Sequence, residues 1–202
     1  MPIGERVRVA APADVPAITQ TISLAFHDDP TWSWAFPDDQ RRQAQFAIWW
    51  RFLIEGAMRF EHPAVFVTEG IEAAAIWLPP GEGEFSAEDE QRVPGLVREL
   101  VGDRAGDFME LLEGFDAVQP ADPPHYYLSL LGVHDEHRGK GIGMGLLKEN
   151  LERFDREGIP TYLESSNALN NHRYEGLGYW KTGEFNTPDD SATITAYWRD
   201  PG

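Results

Sequence analysis

Residues 125–145 read HYYLSLLGVHDEHRGKGIGMG, and the fold turns on them. Tyr126 to Val133 is a mostly apolar run of strand length, which predicts a buried strand. A short polar turn follows. Glycines then fall at every second position: Gly139, Gly141, Gly143 and Gly145. Beyond them Leu147, Leu151 and Phe154 have helical spacing, with Gly158 placed to end that helix. A glycine-rich passage from strand to helix lets peptide N–H groups approach an anion, because no Cβ is in the way. The helix dipole adds partial positive charge at the same point. A purely structural use, seating a helix closely on a sheet, needs the same glycines.

Two familiar phosphate motifs fail on spacing. G-x-x-x-x-G-K-[ST] does not occur, and G-x-G-x-x-G ends on Met144 when started at Gly139 and on Leu146 when started at Gly141. What remains is Arg138-x-x-Gly141-x-Gly143.

Working outward, the 202 residues predict one domain, 1–202, able to bury roughly 70% of the unfolded chain's surface. Cysteine is absent, which removes disulfides, thiolate metal sites and cysteine nucleophiles. The histidines show no ligand spacing with carboxylates, so no metal site is expected. A net charge of −17 argues against nucleic acid and anionic membranes. No apolar run reaches the length of a membrane span, and the start lacks a signal-peptide core, so the expected compartment is the cytoplasm.

Glu5 to Ala11 alternates as a strand, with Val7 and Val9 on one face. Asp14 caps a helix with Ile18 and Ile22 inward. His27 to Pro37 then reads as a loop. Phe26, Asp28, Trp32 and Trp34 supply the acids and aromatics that a pocket for an amine-bearing ligand needs, and the same aromatics would serve equally as a plug over the core. A long helix runs from Asp38 or Asp39 to about Phe60 on the stripe Phe46, Trp49, Trp50, Leu53, Ala57. Ala64–Thr68 and Ala73–Leu78 read as strands. Residues 82–122 read as an acidic helical insertion at the sheet's edge, its helices broken at Pro94 and Gly106. Strands follow at 160–165, 179–186 and 192–198, with a short helix at 169–177.

That short helix carries the second motif, Glu164-Ser-Ser-Asn-Ala-Leu-Asn170-Asn-His-Arg-Tyr174-Glu-Gly-Leu-Gly178-Tyr179. It resembles the segment E-x-S-x-x-x-N-x-x-x-Y-E-x-x-G-F of the GNAT acyltransferases, with Tyr179 in place of the usual Phe. Arg138-x-x-Gly141-x-Gly143 resembles the pyrophosphate motif of the same superfamily. The order, separation and intervening strand agree. The stretches AIWLPPG and HYYLSLLGV look like the branch that includes puromycin N-acetyltransferase.

The resemblance implies an α/β fold, a mixed, mostly antiparallel twisted sheet with helices on both faces and a splayed central strand pair. It implies acetyl-CoA as acyl donor, with backbone groups of Leu131 and Val133 pairing with the pantetheine arm; the amide of Leu131, Gly132 or Val133 is then placed to polarise the thioester carbonyl. The amides of Arg138, Gly139, Lys140, Gly141, Ile142 and Gly143 would hold the pyrophosphate, and Asn170 would bond the cofactor or orient its helix. Tyr174 matches the family's general acid. No base position carries over; Glu164 is the candidate, and His134, beside the cofactor strand, is an alternative of suitable pKa. The implied acceptor is a small-molecule amine, a drug or metabolite. A protein or peptide amine, or a non-catalytic module binding acyl-CoA or a cation, are the competing readings. A homodimer is the assembly to test.

Overall fold

The computed structural model describes residues 7–202. The expected first strand therefore has Glu5 and Arg6 outside the described residues, and β1 is Val7–Val9. Val7 is half-buried, but Val9 is exposed, so the shared inward face expected of the two does not form. Helix α1 (Val15–Ala25) buries Ile18 and Ile22 completely. Asp14 precedes it without capping it. Its carboxylate instead accepts the Ala11 amide at 2.8 Å and the Arg8 guanidinium at 2.6 Å.

The expected loop at 27–37 contains a helix, α2 (Pro30–Ala35). Asp29 caps it, accepting the amides of Thr31 and Trp32, and Pro30 occupies the first turn, where its missing N–H costs nothing. Helix α3 (Asp39–Ala57), capped by Asp38, buries Phe46, Trp49, Trp50, Leu53 and Ala57. Strands β2 (Val65–Thr68) and β3 (Ala73–Leu78) are buried throughout. Between them and β4 (Tyr126–Val133) lie α4 (Ala87–Val101) and α5 (Ala105–Val118). Pro94 and Gly106 sit inside these helices, and the break falls at Gly102, whose φ is +60°. Burial of Val93, Val97 and Leu100 on the core holds α4 through the proline. Then come α6 (Ile142–Glu157), β5 (Thr161–Ser165), the short α7 (Asn171–Glu175), β6 (Trp180–Asn186) and β7 (Thr193–Arg199).

The seven strands form one sheet in the order β1-β2-β3-β4-β5-β7-β6. Every neighbouring pair is antiparallel except β4 with β5. One face packs on α1 to α5 through Leu130, Ala74 and Ile76; the other packs on α6 through Leu128, Leu163 and Phe66. Tyr127, Tyr162, Ala196 and Trp198 make a smaller cluster of their own. A bidentate pair of Arg199 with Asp155, at 2.7 and 2.8 Å, ties β7 to α6. Among the described residues no helix is long and apolar enough to cross a membrane.

Candidate active site

The parallel pair is incomplete. Tyr126, Tyr127 and Leu128 face Thr161, Tyr162 and Leu163, and there the pairing stops, although both strands continue. A β-bulge marks the parting: Ile76 faces Leu130 and Trp77 faces Leu128, so Ser129 has no opposite residue on β3. One extra residue reverses which face each later side chain meets. Leu128 lies on the α6 side, Leu130 on the opposite side, and Leu131 and Val133 return to the α6 side.

The bulge also settles which peptide groups are open. His134 N–H donates to Glu72 O at 2.8 Å, so the edge of β4 facing β3 carries Gly132 as well. Leu131 and Val133 turn their peptide groups into the gap. Gly132 therefore cannot serve there; it lets α1 approach, since a Cβ would lie 2.7 Å from Ile22 Cδ1 and 2.8 Å from Ala25 Cβ.

A cleft of about 830 Å³ runs through the gap. At one end stands the start of α6. Its first amides, Ile142, Gly143 and Met144, have no acceptor within the helix, and no side chain caps them. Gly139 and Gly141 have φ of +75° and +74°, and a Cβ on either would meet nothing within 4 Å. These two glycines are needed for the left-handed backbone, and they leave the turn bare. Gly143 serves differently: its Cβ would lie 2.6 Å from Val133 Cγ2, so it seats α6 on β4. Bare amides, open space and a helix N-terminus fit a diphosphate.

The two cations of the motif are otherwise engaged. Arg138 lines the cleft but donates to the α1 carbonyls of Leu24 and Ala25 at 2.7 and 3.0 Å, binding the turn to a helix C-terminus. Lys140 is exposed, donates to Glu136 O at 3.1 Å, and does not line the cleft.

Tyr174 and Asn170 line the cleft, Tyr174 packing near Tyr179 and Tyr197. Burial, with the Asp29 charge adding to it, pushes the Tyr174 phenol up to about 12. Glu164 belongs to the opposite face, in register with Tyr162 rather than Leu163. Its Oε1 is buried without a partner. Burial pushes its carboxyl up to about 8; nearby Glu84 adds to the rise, and the phenols of Tyr162 and Tyr127 oppose it.

Of the expected pocket residues, Phe26, Asp28 and Trp32 line the cleft. Asp28 is largely exposed, and Trp32 is a core residue, edge-on to Trp50 at 4.7 Å. Trp34 lies elsewhere, under the Arg104 guanidinium at 4.6 Å. The cleft gathers acids that sequence reasoning missed: Asp29, Glu84, Glu90 and Asp116. Asp29 also accepts the Ser166 hydroxyl at 2.8 Å, joining α2 to the segment after β5; burial raises its carboxyl to about 6. Ser129 donates to Glu84 Oε1. Two signals for these were visible: Asp-Pro at a helix start, and a lone serine inside an apolar strand.

A parallel pair parted beside an uncapped glycine-rich helix start is an arrangement whose bare amides and open gap fit a phosphate-bearing ligand. A model of the acetyltransferase (GNAT) family matches residues 25–179, and the chain belongs to that family. It is 36% identical over 64 residues, 32% of this chain, to an uncharacterized N-acetyltransferase of Schizosaccharomyces pombe; the matched stretch spans 26% of that relative's length. Among solved structures it resembles one from Corynebacterium glutamicum described as histone acetyltransferase HPA2 and related acetyltransferase (24% identity, 98% of this chain and 96% of that one, TM-score 0.70). It also resembles arylalkylamine N-acetyltransferase 2 of Aedes aegypti (12%, 98% and 99%, 0.65). A third is the polyamine N-acetyltransferase of Drosophila melanogaster (15%, 96% and 98%, 0.60). At these identities the structural likeness is one of fold.

Proposed function

We propose that the chain moves an acetyl group from acetyl-CoA to the primary amine of a small molecule, with residues 1–202 acting as one domain and 82–122 as its helical insertion. The observation that carries this is the parting of β4 from β5 after Leu128 and Leu163, with bare amides on one face and Glu164 on the other. When bound, acetyl-CoA supplies the thioester carbonyl that the amine attacks. The α6 amides hold its diphosphate, and the open edge of β4 at Leu131 and Val133 pairs with its arm. One of those N–H groups stabilises charge developing on the carbonyl oxygen.

Glu164 accepts the proton that the amine must lose. A carboxyl near 8 is matched to that task around neutral pH. As the C–N bond forms and the C–S bond breaks, Tyr174 protonates the departing sulfur. A phenol at about 12 keeps its proton until then. Relatives of the same fold whose names specify arylalkylamine and polyamine substrates favour a small acceptor. So does the wall of α5 and residues 82–85 over the cleft, which suits a small molecule better than an open groove for a peptide. The likeness to the puromycin N-acetyltransferase branch belongs to this reading.

The test is thiol release from acetyl-CoA against a panel of primary amines. Tyr174→Phe is expected to lower kcat by about 10²-fold, with CoA affinity by calorimetry unchanged. A panel that releases no thiol overturns the proposal.

A further inference from the structure

Ser129 is the extra residue of the β4 bulge. Pairing between the two parallel strands ends at Leu128 with Leu163, so the next residues along each strand are Ser129 and Glu164. Both line the cleft where the strands part. A hydroxyl is out of place in a mostly apolar strand, and this one has a partner from far away in the chain: Ser129 Oγ donates to Glu84 Oε1. That bond brings a second carboxyl to the point of parting, beside Glu164.

Glu84 is held through its backbone as well. Arg59 donates to the carbonyls of Gly83 and Glu84 at 2.5 and 3.0 Å, and Phe85 stacks on Phe52 at 5.7 Å. The carboxyl is therefore fixed over β4 rather than free to swing into solvent. Tyr127, buried on β4, senses both acids: burial lifts its phenol well above the ordinary value, and the charges of Glu164 and Glu84 each add to the rise. Burial also raises the Glu84 carboxyl; the Ser129 hydroxyl opposes that rise, Asp116 of α5 adds to it, and Arg59 of α3 opposes it. The groups facing Glu164 are the phenols of Tyr162 and Tyr127 and the Glu84 carboxyl. Two carboxyls at one point of a cleft do not ionise independently. A hydroxyl donor and a guanidinium favour the charged form of Glu84, which leaves the last proton on Glu164.

We propose that Glu84 is a positioning residue for acetyl transfer: anchored on Ser129, its charge stands beside Glu164 and sets the strength of that base. Glu84 does not itself receive the amine's proton. An ordinary carboxylate is too weak a base to take a proton from an attacking amine efficiently. Burial begins to correct this for Glu164, and a neighbour of like charge carries the correction further. The inference rests on the amine acetyltransferase reading above and deepens it, by naming what makes Glu164 a base suited to neutral pH.

Glu84→Gln tests this, because the amide keeps the shape and still accepts the Ser129 hydroxyl, so that charge and little else is removed. The rising limb of kcat against pH, near 8 in the wild type, is expected about one pH unit lower in the variant. The alkaline plateau is expected to fall about threefold, since the base is weaker, with CoA affinity by calorimetry retained as the check on folding. Ser129→Ala is expected to move the limb the same way by less, and the double variant no further than Glu84→Gln alone. Carbon NMR of the side-chain carboxyls follows the same group without turnover: the signal missing from Glu164→Gln is expected to titrate near 8 in the wild type and lower in Glu84→Gln. A limb and a signal that stay in place in Glu84→Gln overturn the inference and leave the acetyltransferase standing. So does a rate lost at every pH with no shift of the limb. If no amine is acetylated, the enzymatic reading falls and the NMR signal alone decides: movement upholds the coupling of Glu84 to Glu164, and its absence removes it.

Discussion

The two ends of the cleft are made of different material. The end at α6 is made of backbone: amides left over by a helix start, two glycines in a left-handed conformation, and strand edges freed by a bulge. The acceptor end is made of side chains from distant parts of the chain, with Glu84 from the segment before α4, Asp116 from α5, and Glu164 from β5. A backbone site tolerates change in most side chains but not in the conformation of a few residues. A side-chain site has the opposite sensitivity. On the proposed function, the donor is held at the first end and the acceptor is selected at the second.

Glu164→Gln is the strongest way to break that division. It is expected to lower kcat by about 10²–10⁴-fold while CoA affinity, made at the other end, is unchanged. A base acts only after it has lost its proton. The wild-type rate is therefore expected to climb as pH rises through about 8, and that limb is expected to be missing in the variant. A variant that keeps its rate would remove Glu164 from the chemistry.

Gly141→Val attacks the other end. A β-branched residue at a φ of +74° is strained by roughly 1–2 kcal/mol, and the turn is expected to relax away from the diphosphate. CoA affinity by calorimetry is expected to fall about tenfold. Gly141→Asn, which tolerates the left-handed region, is expected to recover much of it. Equal losses for Val and Asn would point to the side chain rather than the backbone.

Gly143→Ala sharpens the contrast between neighbouring glycines. Its Cβ would press on Val133, and about 1–3 kcal/mol of stability is expected to be lost, read as a lower Tm. Val133→Ala in the same chain is expected to restore part of it by making room. No recovery would mean that Gly143 is not a packing residue.

Legibility in the sequence divided along the same line. Strands β3 and β4 begin and end where the apolar runs do, because a strand buried on both faces must be apolar along its whole length. The glycine spacing located the turn because left-handed backbone leaves few residue choices. The 27–37 segment misled: its acids and aromatics resemble a loop until Asp29 is seen capping a helix that starts at Pro30. Arg138 misled in another way, since nothing near it in sequence reveals the α1 carbonyls that engage it. Apart from the Asp-Pro step and the lone strand serine, nothing in the sequence marked the acid wall, because −17 of net charge does not say which acids meet.

The sequence by itself determined the strands, the helix stripes, the order of the two motifs and the uncapped glycine turn. Each of these depends on residues within a few positions of one another. Only the tertiary structure decided that β4 and β5 part after three residue pairs, that Gly132 and Gly143 serve packing, and that Glu84, Asp116 and Glu164 line one cleft. Those outcomes depend on bulge register and on contacts between elements far apart in the chain. Local preference does not encode them, and only the folded arrangement brings such groups within reach of a ligand.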